Sequence, residues 1–171
     1  MQHPLAAIVQ TEAPLLLVGD SASERFPAMS FDCYQRQGRE VYCVDLGGRT
    51  TSRGAAAGLP VYPTFDALPA DWGGELAILW VPPFRAAECT RAIAAVGCTK
   101  VWYSFHTVSP EAITTAADLQ VEVVEAGRCP VFYLDGPKPM ACRLHTAAAR
   151  LFGMRSLPPQ TTASPARREL L

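Results

Sequence analysis

Short apolar runs alternate with segments of helical periodicity along most of this chain. A run of four to eight apolar residues bounded by turn residues is typical of a buried strand, whereas apolar residues three and four positions apart indicate a helix on a core. Strands are predicted at 15–18, 40–44, 76–81, 100–105 and 121–124, with a short extended segment at 61–68. Helices are predicted at 27–37, 84–96, 109–118 and 139–151.

This alternation predicts an α/β protein with a doubly wound, mainly parallel sheet in three layers. With 61–68 counted as the third strand, we expect the strand order 3-2-1-4-5 and allow for 121–124 as a sixth strand. A single domain is expected over residues 1–154. Residues 155–171 contain three prolines and little apolar content, so we expect a disordered tail there.

The first strand leads into Gly19-Asp-Ser-Ala-Ser-Glu-Arg25, just before a helical segment. Backbone N–H groups and a helix dipole are directed at an anion in such a place. The loop has one glycine where the dinucleotide fingerprint has three, and it does not match the P-loop. It is therefore either a phosphate site or an ordinary turn capped by serine.

In the first case, the ligand contacts are Gly19, Asp20, Ser21, Ser23 and Arg25. Asp20 adds negative charge, so a bound anion needs Arg25 as its counter-charge.

The expected strand order brings other segments to this loop. A doubly wound sheet binds its ligand at the carboxyl ends of the strands, where the strand order reverses. That point lies between the first and fourth strands, so the loop should lie beside Trp80-Val81-Pro82-Pro83, with Asp45 on the same edge. These residues either form an apolar wall for a ligand or, in the case of Trp80, belong to the core.

The overall charge argues against two classes of partner. The 171 residues have a formal net charge of −1, no block of like charge and no basic N-terminal region. No apolar run approaches the roughly 20 residues that span a bilayer. We therefore expect a cytoplasmic protein that binds neither nucleic acid nor membrane.

The six cysteines contain no C-x-x-C pair, which argues against a zinc site and a disulfide framework. Cys33, Cys43, Cys89 and Cys98 lie within helix or strand patterns and are expected to be buried. Cys129 is either a structural cysteine or a thiol of low pKa that forms a mixed disulfide with a ligand thiol.

These segments resemble the small single-domain CoA-binding proteins, which have a Rossmann-like fold related to the CoA-binding domain of the succinyl-CoA synthetase α subunit. The resemblance covers about Leu15 to Leu134. It rests on motifs of matching order and spacing: Val18–Arg25, Gly38–Asp45, Pro60–Leu68, Val101-Trp102 and Arg128-Cys-Pro130. The chain departs from the family where Phe26-Pro27 replaces Pro-Ser, Asp45 replaces asparagine, Ser104 replaces a common glutamine and His106 replaces glycine.

The resemblance implies a module that binds CoA or an acyl-CoA without catalysis. It places the phosphates on Gly19–Ser23 and Arg25, and the adenosine near Asp45. Arg49 or Arg53 either pairs with the 3′-phosphate of CoA or is a solvated surface arginine. The synthetases carry their phosphorylated histidine on a second domain, for which this chain is too short, so a binding module is favoured over a ligase.

Two alternatives stay open. Asp45 lies near the position where NAD enzymes hold the ribose hydroxyls, so the chain is alternatively an NAD(P)-dependent oxidoreductase or redox sensor. The other alternative is a scaffold whose site has degenerated. Neither a metal site nor a catalytic residue is predicted, since His106 has no acidic neighbour in sequence to orient it. A homo-oligomer is compatible with the sequence.

Overall fold

The computed structural model describes residues 3–52 and 57–162. The strands are β1 (Leu15–Gly19), β2 (Val41–Asp45), β3 (Leu76–Trp80), β4 (Lys100–Tyr103) and β5 (Glu122–Ala126). The helices are α1 (Pro4–Val9), α2 (Ala28–Arg36), α3 (Pro83–Ala95), α4 (Pro110–Asp118) and α5 (Met140–Leu151). Short 3₁₀ turns are present at Ser21–Ser23, Phe65–Ala67, Pro130–Tyr133 and Met154–Ser156.

The five strands form one parallel sheet in the order β2-β1-β3-β4-β5. The predicted third strand is reduced to one parallel bridge between Val44 and Tyr62, on the outer side of β2. Pro60 and Pro63 flank this segment and have no N–H to donate, so the ladder cannot extend. If the bridge is counted as the predicted third strand, then β3, β4 and β5 are the predicted fourth, fifth and sixth strands. The predicted doubly wound order is thus confirmed.

The sheet separates two apolar cores, which explains why its strands are continuously apolar. Leu15, Leu17 and Ile78 face the core formed with α1, α2, α5 and the Pro130–Tyr133 turn. Leu16 and Leu79 face the opposite core, which is covered by α3 and α4. The three-layer arrangement therefore follows from burial on both faces of the sheet.

Helix α1 was not predicted from the sequence. Its six residues are too few to show a helical period, yet Leu5, Ala6 and Val9 are completely buried. Helix α4 begins as predicted, with Pro110 in its first turn and the Ser109 hydroxyl accepting a hydrogen bond from the Ala112 N–H at 3.1 Å. Among the described residues, none of the helices is both long and apolar enough to cross a bilayer.

A buried ion pair binds the segment that follows α5. Arg128 pairs with Glu125 and donates hydrogen bonds to the carbonyls of Leu157 at 2.8 Å and Pro158 at 2.7 Å. Glu125 accepts a hydrogen bond from the Gln160 N–H at 3.1 Å. Residues 155–160, which we expected within the tail, thus make specific contacts. Residues 163–171 lie outside the described residues.

Candidate functional site

The carboxyl edge of the sheet brings the predicted loop segments together. Gly19 at the end of β1 is in register with Asp45 of β2 on one side and with Trp80 of β3 on the other. The chain leaves β1 and β3 toward opposite faces, because α2 packs in one core and α3 in the other. The reversal of strand order, where a doubly wound sheet binds its ligand, therefore lies at Gly19.

Two glycines allow the loops at this edge to approach each other closely. A Cβ at Gly19 would lie 2.6 Å from the Pro27 ring. A Cβ at Gly47 would lie 2.2 Å from the backbone nitrogen of Ala22 and 2.5 Å from the Ser21 hydroxyl oxygen. The turn after β2 therefore packs directly on the 3₁₀ turn after β1, and a side chain at Gly47 would separate them. A side chain at Gly19 would displace the start of α2 from the end of β1.

Asp45 joins these two loops. Its carboxylate accepts hydrogen bonds from the Ser21 N–H at 2.7 Å, the Ser21 hydroxyl at 2.6 Å and the Arg49 N–H at 2.7 Å. The residue is completely buried. A buried carboxylate needs several donors to offset its desolvation, and this one obtains them from the protein itself.

Asp20 has a similar role on the other side of the loop. It accepts hydrogen bonds from the Ser23 N–H at 3.3 Å, the Ser23 hydroxyl at 3.0 Å and an Nη of Arg85 at 2.9 Å. Burial alone would raise the pKa of Asp20, but the hydrogen bonds from Arg85 and Ser23 outweigh it, so the pKa of this carboxyl lies below its ordinary value. Asp20 therefore stays ionised and paired with Arg85.

These contacts bear on the roles expected for the two serines. The sequence left two roles open for Ser21 and Ser23: hydroxyl donors to a pyrophosphate, or caps of the following helix. In the structure, the donors of Ser21 bind Asp45 and those of Ser23 bind Asp20. The N–H and hydroxyl donors of both serines therefore form charge-assisted hydrogen bonds with the protein's own carboxylates.

Arg25, unlike Arg85, has no acidic partner among the described residues. One Nη donates hydrogen bonds to the carbonyl oxygens of Phe105 at 2.8 Å and Val81 at 3.5 Å. The guanidinium thus crosses the carboxyl ends of β3 and β4. Burial lowers the pKa of Arg25, which still remains fully charged at neutral pH. No acceptor among the described residues bonds its Nε or its other Nη.

The apolar wall expected on the β3 side is only partly present. Val81 is completely buried in the core and contributes its carbonyl oxygen alone, and Pro82 is also buried. Pro83 and Trp80 are half-buried, and the Trp80 ring packs edge-on against Phe105 with centroids 5.9 Å apart. Phe84 is 79% exposed at the start of α3. Trp80 also packs against the core that contains α2 and α5, which supports the alternative that it belongs to the core, and Val81 lies inside the opposite core.

Arg49 lies beside the same loop. Its guanidinium carbon is 4.6 Å from the centroid of the Phe26 ring, a cation–π distance. The stacked guanidinium has no carboxylate partner among the residues that the structure describes. Arg53, the other arginine predicted here, lies outside the described residues.

The structure places Cys129 in the core, with only 4% of its surface exposed. Burial raises the pKa of its thiol to about 12, so the thiolate needed for disulfide exchange is scarce at neutral pH. This supports the structural alternative for Cys129. All six cysteines are free and buried, as we expected for Cys33, Cys43, Cys89 and Cys98.

Sequence reasoning missed Arg85, Gly47 and Ser104 as residues of this edge. Arg85 follows the end of a predicted strand by a few positions, which was an available signal for a side chain at the carboxyl edge. Ser104 is completely buried just after β4, and its hydroxyl has no hydrogen-bond partner among the described residues. Only the packed structure could show that this hydroxyl lacks a partner.

Two histidines lie near this edge. His106 is exposed with a left-handed φ of +49°, and His145 packs against Phe105 at a centroid distance of 5.5 Å. Burial lowers the pKa of His145. Among the residues described, no group of three or more histidine, cysteine or acidic side chains is arranged to hold a metal ion.

Several solved structures share this fold. A hypothetical protein from Pyrococcus horikoshii OT3 is 24% identical, with a TM-score of 0.60 over 74% of this chain and 84% of that chain. A conserved hypothetical protein from Pyrococcus furiosus is 23% identical, with a TM-score of 0.56 over 68% of this chain and 95% of that chain. A Thermus thermophilus protein is 21% identical, with a TM-score of 0.54 over 73% and 90% of the two chains. At this identity the likeness concerns the fold.

The sequence itself matches one protein family. The profile of the family described as "CoA binding domain" matches residues 15–135, which include every element from β1 to the turn after β5. No curated protein matches the chain significantly.

Proposed function

The chain belongs to the family of CoA-binding domains, and from that premise we propose that it binds coenzyme A or an acyl-CoA at the carboxyl edge of its sheet, as a module without chemistry of its own. The observation that carries this proposal is Arg25. A partly buried guanidinium without a carboxylate partner, at the point where the strand order reverses, is suited to bind the pyrophosphate of the ligand.

The remaining charges at this edge do not oppose an anion. Asp20 is paired with Arg85, and Asp45 is surrounded by three hydrogen-bond donors. Since these carboxylates are compensated within the protein, the charge of Arg25 is left for a ligand. Arg49, on the same loop system, is the candidate for the 3′-phosphate.

The polar and apolar groups present also fit this ligand. The buried Ser104 hydroxyl lacks a partner at the end of β4, and Trp80 and Pro83 offer apolar surface for the pantetheine arm. The phosphates are assigned to Arg25 and not to the N–H groups of Ser21 and Ser23, because the protein's own carboxylates accept from those groups.

The dinucleotide alternative has less support. It requires Asp45 to accept hydrogen bonds from ribose hydroxyls, but Asp45 is completely buried and its oxygens already accept three hydrogen bonds. To bind the ribose hydroxyls of NAD, this carboxylate would have to give up its hydrogen bonds to the two loops that it joins.

Calorimetric titration with CoA, dephospho-CoA and NAD tests the proposal. We expect CoA to bind more tightly than dephospho-CoA, and NAD to bind more weakly than either. Replacing Arg25 by Gln should weaken CoA binding by about 10- to 100-fold, because a hydrogen bond to a charged group contributes about 1.5–3 kcal/mol. Arg25→Lys, which keeps the charge, should lose less.

The matched control is Arg91→Gln, since Arg91 on α3 is exposed and paired only with exposed Glu111. This variant should bind CoA like the unchanged protein. The proposal is wrong if CoA gives no saturable heat at millimolar concentration, or if Arg25→Gln and Arg91→Gln bind it equally well.

A further inference from the structure

We infer that the groove between α5 and the turn at residues 135–138 is a second ligand site, which takes a phosphate monoester with a small apolar group. The groove has a volume of about 540 Å³. Cavities of roughly 300–1,000 Å³ accommodate small-molecule ligands. None of its lining residues belongs to the carboxyl-edge site, so this inference does not depend on the proposed function.

Positive charge is in excess in the groove. Lys138, Arg143 and Arg150 line it, against the single carboxylate of Asp135. That carboxylate already accepts a hydrogen bond from Gln10 at 3.0 Å and pairs with Arg155 at 3.5 Å. Within the described part of the chain, neither Arg143 nor Arg150 has an acidic partner.

The ammonium group of Lys138 is confined among other cations. It donates a hydrogen bond to the carbonyl oxygen of Leu134. Burial lowers the pKa of Lys138, and repulsion from Arg150 and Arg155 lowers it further. A bound anion would relieve this repulsion, since it would pair with the ammonium and the neighbouring guanidinium together.

Thr146 adds a polar group that the protein leaves unused. The residue lines the groove, is only 4% exposed, and its hydroxyl has no hydrogen-bond partner among the described residues. A threonine within a helix commonly bonds the carbonyl four residues before it, and this one does not. Buried hydroxyls are otherwise hydrogen-bonded, so the orphaned group indicates an acceptor supplied by a ligand.

Apolar side chains of α5 also line the groove and form its apolar wall. Met140 is 75% exposed and Leu144 is 68% exposed, and with Ala147 they recur at intervals of four and three residues along one face of α5. Two guanidiniums, an ammonium and a hydroxyl suit the several acceptor oxygens of a phosphate, and the apolar wall suits a short hydrocarbon group bonded to it. The ligand class is therefore an amphipathic phosphate monoester.

The test is an NMR titration of the ¹⁵N-labelled full chain at constant ionic strength. The probes are inorganic phosphate, hexyl phosphate and 1-hexanol. We expect saturable shifts centred on the amides of residues 138–150. Hexyl phosphate should bind at least threefold more tightly than inorganic phosphate, and 1-hexanol should bind more weakly than hexyl phosphate.

Matched variants assign the contacts. The double variant Arg143→Gln/Arg150→Gln should weaken hexyl phosphate binding at least tenfold, and Thr146→Val should weaken it about threefold. Both arginines are exposed, so the double variant should stay folded. Arg91→Gln, outside the groove, should bind like the unchanged protein. The shifts of the amides of residues 138–150 should be the same in Arg25→Gln, since Arg25 does not line the groove, and this separates the site from CoA binding.

Two results would overturn the inference. One is chemical shift changes that increase linearly with the concentration of hexyl phosphate, without saturation, or that occur at amides over the whole surface of the protein. The other is equal affinity of the double variant and Arg91→Gln for hexyl phosphate.

Discussion

At the scale of single residues, the edge of the sheet is organised by carboxylates that bind the protein's own loops. Asp45 joins the loops after β1 and β2, and Asp20 joins the β1 loop to α3 through Arg85. A loop whose sequence suggests phosphate binding is thereby held by internal anions. Arg25 has no acidic partner among the described residues, and the pyrophosphate of the ligand is assigned to it.

The pairing of Asp20 predicts a pH dependence of stability. Its lowered pKa means that the ionised carboxylate contributes stability above the ordinary aspartate value of about 3.9, and that this contribution is lost as the pH falls through the lowered value. We expect Asp20→Asn to be less stable than the unchanged protein at pH 6, with the difference shrinking toward pH 3. Urea unfolding of both proteins across this range measures it. A difference that stays constant with pH would contradict the assignment.

The backbone at His106 predicts a stabilising substitution. His106 adopts a left-handed φ of +49°, which costs most side chains about 1–2 kcal/mol and glycine almost nothing. Glycine loses more backbone entropy on folding than histidine, and this loss offsets part of the gain. His106→Gly should therefore raise the free energy of unfolding by about 0.5–1 kcal/mol. His106→Ala removes the same ring but keeps the unfavourable φ, so it is the control. If both variants unfold at the same denaturant concentration, the left-handed φ of His106 is not the cause of any change in stability.

At the scale of secondary structure elements, the Glu125–Arg128 pair connects β5 to the segment after α5. Arg128 is 1% exposed and donates to three backbone carbonyls of residues 154–158. Its aliphatic and guanidinium groups are therefore buried by the returning chain. The Nε2 of His3 lies 3.1 Å from the carbonyl oxygen of Leu157, so the same segment also contacts the residue that caps α1.

This connection predicts the effect of breaking the pair. Arg128→Met leaves the carboxylate of Glu125 buried without its cation and should lower the free energy of unfolding by about 3–5 kcal/mol. Residues 154–160 should become more sensitive to limited proteolysis. The double variant Glu125→Gln/Arg128→Met removes both charges and should recover part of the loss. A double variant no more stable than Arg128→Met would show that the ion pair is not the cause.

At the scale of the whole molecule, α5 lies between the two candidate sites. On one face of α5, His145 packs against Phe105 and Phe132, next to the carboxyl edge. Arg143 and Arg150 of the same helix line the groove, together with Lys138 from the preceding turn. The carboxyl edge and the groove use different residues, so ligands at the two places are distinguished by the Arg25 and Arg143/Arg150 variants.

The sequence by itself determined the architecture and the location of the edge. The strands are buried on both faces and therefore appear as uninterrupted apolar runs, and their alternation with helices predicts the parallel, doubly wound order. The same order predicted that Gly19, Asp45 and Trp80 are neighbours, which the strand register confirms. These features depend on periodicity and connectivity, which are local properties of the chain.

Only the tertiary structure decided which polar groups are already paired. Asp45 is 24 positions from Ser21, and Arg85 is 65 positions from Asp20, so no local pattern shows that these side chains bind each other. The same holds for the hydroxyls of Ser104 and Thr146, which have no hydrogen-bond partner among the described residues, and for Arg25 and Arg150, which have no acidic partner there. A binding site is made of groups left unpaired after folding, and that remainder is a property of the packed molecule.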